Sequence, residues 1–158
     1  MKASVYVETT IVSYLVAEPT KDLIQAAHQQ ATREWWATRD RFDLFVSAAV
    51  VAEARRGDAT AAARRIGALR DIPILTSGPQ AGALVRSLLH SGALPSHARM
   101  DAAHVAIAAI NGVDFLVTWN LRHLANAAVR GKIDEACRGV GLAPPIICTP
   151  EELMEPSP

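Results

Sequence analysis

At 158 residues, half of them apolar and a fifth charged, the chain has the size and composition of one globular domain with a real core. Sixteen basic and sixteen acidic side chains cancel to a formal net charge of zero, which excludes a global field drawing in polyanions; such a partner must be met by a local basic patch. Cys137 and Cys148 form neither a metal-spaced cluster nor a disulfide framework and read as small core residues, and no apolar run reaches membrane-spanning length.

In chain order, Ser4 to Val7 reads as a short buried strand, with Glu8 directly after it and Thr9-Thr10 as caps of a helix through Ile11 to Val16. This strand-like start leaves no room for a signal peptide, so a cytoplasmic location is the default expectation. Thr20 is expected to cap a helix from Lys21 to about Arg39, with Leu23, Ile24, Ala27, Ala31, Trp35 and Trp36 near one face. Asp43 to Val46 is a second strand; Ser47 then caps a helix that carries Glu53 and ends near Gly57, and Asp58 caps another over Ala59 to Arg70. Ile72 to Leu75 contains a proline and suits a sheet edge.

Gln80 to His90 is the next helix, and His97 to Ile110 is apolar on nearly every side, which predicts a buried helix. Asn111-Gly112 stops it, and Asp114 to Thr118 is a strand followed by Trp119 and Asn120. Asn126 to about Gly139 is helical, Pro145 to Cys148 is a last strand, and Thr149-Pro-Glu-Glu152 has the form of a capping box. Strands alternating with helices predict a three-layer α/β/α architecture with a central, mostly parallel sheet of four or five strands. It forms a single domain over residues 1–154, with a loose tail at 155–158.

Three carboxylates and one amide stand out along these elements: Glu8, Glu53, Asp101 and Asn120. Each lies in or just after an apolar stretch, where an unpaired charge is costly and survives only with compensation. Ligands of parallel sheets bind beyond the carboxyl ends of the strands, and Glu8 and Asn120 both fall just past a predicted strand end. A hard divalent cation held by oxygen atoms is the simplest compensation for several converging acids.

Taken singly, each residue also has a plainer role. Glu8 suits the N-terminus of the following helix, Glu53 an ion pair with Arg55 or Arg56, Asp101 the first turn of its helix, and Asn120 a turn. His104, one turn after Asp101, reads as a packed and hydrogen-bonded residue, and Asp114 as a structural acid. Adjacent Trp35 and Trp36 cannot both face one core, so one is expected at an interface, a homodimer contact. Arg122 and His123 are the nearest candidates for phosphate contacts.

Four stretches together resemble the PIN domain family of metal-dependent ribonucleases, which includes the VapC toxins of toxin–antitoxin pairs. They are Val5 to Leu15 with Glu8, Ser47 to Gly57 with Glu53, Asp101 to Ala108, and Val113 to Asn120. Two positions depart from the family pattern: Glu8 and Asn120 stand where it usually has aspartate. The resemblance implies a PIN-like fold and a site of Glu8, Glu53, Asp101 and Asn120 around Mg²⁺ or Mn²⁺. Glu8 and Asp101 are then the direct metal ligands, with Thr9 and Thr118 hydroxyls fixing the carboxylates. It also implies an RNA substrate, a cognate antitoxin and no membrane partner. The competing expectation is a catalytically weakened PIN-fold binding module, since Asn120 brings no charge. A phospho-accepting signalling domain fits less well, because Glu8 has no acidic neighbour and the last strand offers no lysine.

Overall fold

A computed structural model describes residues 1–156. Five strands, β1 (Ala3–Val7), β2 (Phe42–Ser47), β3 (Ile74–Leu75), β4 (Phe115–Val117) and β5 (Ile146–Cys148), form a single sheet in the order β3-β2-β1-β4-β5. Every neighbouring pair is parallel, with Val5 opposite Leu44 on one side and opposite Phe115 on the other. Among the described residues seven α-helices connect them: α1 (Thr9–Val16), α2 (Leu23–Ala37), α3 (Ala48–Ala54), α4 (Ala59–Leu69), α5 (Pro79–His90), α6 (Arg99–Ile110) and α7 (Ala127–Gly139). The architecture is therefore the expected three-layer α/β/α.

Strand order fixes the layers. The chain steps from β1 outward to β2 and β3, then returns to the far side of β1 for β4 and β5. Right-handed crossovers accordingly place the helices before β3 on one face and those after it on the other. The packing agrees: α1 lies against α2, α3 and α4, whereas α5 lies against α6 and α7. The central strand is sealed on both sides, with Val5, Tyr6 and Val7 fully buried. Such double coverage is why parallel strands read as continuous apolar runs.

The long first-layer helix differs from expectation. Asp22, not Thr20, caps α2 by accepting from Gln25 N, and the helix spans Leu23–Ala37. Leu23 and Ile24 are 86% and 70% exposed, so they lie off the core face. Of the expected face, Ala31 and Trp35 are buried, and Gln29 and Thr32 complete the buried stripe. Its polar members are tolerated because they are bonded: Gln29 Nε2 donates to Ala17 O, and Thr32 Oγ1 accepts from Trp119 Nε1 while donating to His28 O. Trp35 is fully buried, while half-buried Trp36 carries the Arg39 guanidinium 4.9 Å from its ring centre.

Smaller corrections concern helix ends. Thr9 and Thr10 lie inside α1 rather than capping it, and the buried helix begins at Arg99, not at His97. It stops where Gly112 adopts φ +64°, a left-handed conformation that a β-carbon would strain, and the chain turns into β4. Thr149 and Glu152 make the side-chain contact of a capping box, but the element they open is a single 3₁₀ turn, Glu151–Leu153. In the C-terminal stretch, Glu155 pairs with Arg41 at 3.3 Å, and residues 157–158 of the predicted tail lie outside the described residues. No helix among the described residues is long and apolar enough to cross a membrane.

Candidate metal centre

β1 is the strand at which the connections change direction, and Glu8 follows it immediately. Open parallel sheets bind ligands at this crevice. The backbone ties Glu8 across to β4, with Glu8 N donating to Val117 O at 3.1 Å. Glu8 is only 4% exposed and is the N-cap of α1: its Oε2 accepts from Thr10 N at 3.1 Å. Its Oε1 accepts from two hydroxyls, Thr10 Oγ1 at 2.6 Å and Thr118 Oγ1 at 2.5 Å. Thr10 Oγ1 in turn accepts from Trp119 N, and Thr118 Oγ1 from Asn120 N. The capping role and the site position thus coincide in one carboxylate.

Glu53 arrives from the neighbouring strand. Ser47 ends β2 and caps α3 by accepting from Val50 N, which turns the chain so that Glu53 comes back toward Glu8. Among the described residues, no ion pair with Arg55 or Arg56 forms. Glu53 Oε1 instead accepts from Thr9 Oγ1 and from His104 Nε2, each at 2.6 Å. Burial alone would raise its pKa, but the bonds from His104 and Thr9 outweigh that and hold it below the ordinary glutamate value.

His104, on α6, is fully buried. Its Nδ1 lies 2.6 Å from Tyr6 Oη, which lies 2.7 Å from Ser47 Oγ. Glu8, Glu53 and His104 each offer an atom such that all lie within 4.8 Å of one another. Among the described residues, no lysine or arginine is within ion-pair distance of either glutamate.

The other two expected site residues stand in an adjoining network. Asp101 lies outside the close group, and its Oδ2 is 2.9 Å from His123 Nδ1. Asn120 Oδ1 accepts from His123 N at 2.9 Å, which closes the turn after β4. His97 stands edge-on to the His123 ring at 5.6 Å. Glu8 and Glu53 therefore meet directly, whereas Asp101 and Asn120 meet each other through His123.

Sequence reasoning did not place Thr10, Tyr6 or Ser47 at the site, and it read His104 as the packed, hydrogen-bonded residue that it is, without naming its partners. The signal for Thr10 was its position two residues after an acid at a strand end, where its hydroxyl and amide both face back. Tyr6 gave none, because it looked like an ordinary strand residue, and Ser47 was legible only as the helix cap that it is. Asp114 is structural as expected: it sits at the opposite end of the sheet, where its Oδ2 accepts from Ser4 N and Ser4 Oγ.

No family model matches this chain, and neither does any curated protein. The site must therefore be judged on its chemistry. Two carboxylates with hydroxyl-fixed oxygens and no lysine or arginine partner among the described residues suit a hard divalent ion. Both bonds to Glu53 fall on Oε1 and the one to Asp101 falls on Oδ2, so one oxygen of each remains without a partner among the described residues.

Proposed function

We propose that the chain is a PIN-like, metal-dependent endoribonuclease, the toxin of a toxin–antitoxin pair acting in the cytoplasm. The observation that supports this most is the approach of Glu8 and Glu53 at the carboxyl edge of the central strands, without a lysine or arginine to neutralise them. Close carboxylates in a partly buried crevice repel one another by several kcal/mol unless a cation or proton intervenes, about 4 kcal/mol at 4 Å. Glu53 is held in its ionised form, which favours the cation.

In this reading Glu8 and Glu53 hold Mg²⁺ or Mn²⁺, with the unpartnered oxygen of Asp101 completing the acidic lining. The ion supplies a polarised phosphodiester and a bound water of lowered pKa. The protein's own groups orient: Thr10 and Thr118 fix Glu8, while Thr9 and His104 fix Glu53. Arg122 is exposed on the turn beside Asn120, and His123 points one ring nitrogen at Asp101, so both suit contacts to RNA phosphates. A cognate antitoxin and a homodimer belong to the same proposal.

One observation favours a second reading, a catalytically weakened binding module of the same fold: Asn120 spends its oxygen on a turn and adds no charge. An RNA panel titrated with Mg²⁺ and Mn²⁺ separates the two. Metal-dependent cleavage by the wild type, lost in Glu53→Gln and Asp101→Asn, upholds the nuclease. Equal silence of all three proteins, with fold intact, overturns it in favour of the module.

A further inference from the structure

Glu8, Glu53 and His104 form a set that, on distance alone, reads as two carboxylates and an imidazole around one ion. That composition suits Zn²⁺ better than Mg²⁺. The hydrogen-bond chain behind His104 argues otherwise.

We propose that His104 is a positioning residue, an obligate N–H donor that aims Glu53, and not a metal ligand. The role rests on the metal-site reading above. The chain of contacts runs from Val50 N to Ser47 Oγ at 3.3 Å, to Tyr6 Oη at 2.7 Å, to His104 Nδ1 at 2.6 Å, and from His104 Nε2 to Glu53 Oε1 at 2.6 Å. Ser47, Tyr6 and His104 are all fully buried, so water does not replace a missing partner. With Glu53 as a carboxylate, two proton arrangements satisfy every link. In one the ring is neutral, Tyr6 donates to Nδ1 and Ser47 donates to Tyr6. In the other the ring is cationic, Nδ1 donates to Tyr6 and Tyr6 donates to Ser47. Both put a proton on Nε2, facing Glu53.

The remaining neutral tautomer points the Nε2 lone pair at a carboxylate oxygen 2.6 Å away, a repulsive contact at that distance. Thr9 Oγ1 donates to that same oxygen at 2.6 Å, so Oε1 has the acceptor role of a carboxylate oxygen toward both neighbours. Ligation through Nε2 would require stripping that proton and breaking the bond to Glu53. Ligation through Nδ1 would require breaking the bond to Tyr6 inside the core. Neither nitrogen has a free lone pair aimed at the crevice. The ion is then left with oxygen atoms only, which selects for a hard cation.

Histidine labelled with nitrogen-15 reads the ring directly, with His104 assigned by its disappearance in His104→Gln. The expected spectrum shows Nε2 protonated in the metal-free protein and still protonated with saturating Mg²⁺ or Zn²⁺. A protonated Nδ1 with bare Nε2, or loss of the Nε2 proton on adding Zn²⁺, overturns the proposal. Affinity for Mn²⁺ gives a second measure. His104→Gln keeps an N–H donor near the Nε2 position and should stay within about threefold of wild type, while His104→Leu should weaken binding about tenfold or more. Equal losses in both variants, with thermal melts showing both folded, also overturn it. RNA enters none of these measurements. If no ion binds at all, the metal-site reading falls by itself, and the metal-free spectrum still decides the proton position on His104.

Discussion

Thr118 Oγ1 donates to Glu8 Oε1 at 2.5 Å across 110 residues of sequence, joining the ends of the two central strands at the carboxyl edge of the sheet. The same hydroxyl accepts from Asn120 N, so one threonine both fixes the carboxylate and starts the turn after β4. Thr118→Val keeps the shape and removes both bonds. It should cost about 1–3 kcal/mol in urea unfolding, because a buried carboxylate oxygen and an amide lose a partner. Mn²⁺ affinity measured by calorimetry should fall at least about tenfold.

Glu8→Gln separates charge from shape at the centre of the site. The variant removes the repulsion between two carboxylates that approach within 4.8 Å. The amide oxygen can replace Oε1 toward the two hydroxyls, but the NH₂ then faces Thr10 N. The relieved repulsion and the lost cap bond offset one another, so metal-free stability should stay within about 1 kcal/mol of wild type. Wild-type protein at a hundredfold excess of Mg²⁺ over its dissociation constant should gain about 2.7 kcal/mol, and the variant nothing. Thermal melts with Mg²⁺ and with chelator check both halves; a variant that gains as much from Mg²⁺ as wild type would remove Glu8 from the ion's ligands.

The far end of the sheet offers a pH test that leaves the site alone. Two bonds from Ser4, the backbone one first, hold the Asp114 carboxyl below its ordinary value of 3.8. A depressed folded-state value means that the unfolded chain binds the proton more readily. The contribution is therefore complete above the ordinary value and is lost as pH falls through the folded one. Relative to Asp114→Asn, wild-type stability should hold a constant margin at neutral pH and lose it in the acid range. Urea midpoints of both proteins across that range are the measurement; the exposed position keeps the margin small.

Both cysteines should be silent toward thiol reagents in the native protein. Burial pushes the Cys137 thiol up to about 11 and the Cys148 thiol up to about 12, so almost no thiolate exists at neutral pH. Labelling by an aromatic disulfide should proceed at the rate of unfolding and become immediate in denaturant. Fast native labelling of Cys148, on strand β5, would mean that this edge of the sheet opens locally.

The alternation of apolar runs, the caps Ser47 and Asp58, and the stop at Asn111-Gly112 were sufficient to predict a parallel α/β sheet, because these signals are local and act within one or two helical turns. The same local logic put Glu8 at a strand end and Glu53 on the next helix. It failed on α2, where an apolar N-terminal turn looked like a core face: which side of a helix is buried depends on what stands opposite, and Leu23 and Ile24 have nothing there. Partner choice was likewise beyond it. Glu53 reaches across 51 residues to His104 rather than to Arg56 three positions away, since a buried imidazole and a hydroxyl hold a carboxylate that a solvated guanidinium would leave in water. Asp101 turns to His123 and Asn120 closes the same turn. Sequence determines which groups are available along each edge, but hydrogen bonds are decided by distance in space, and only the packed sheet sets those distances.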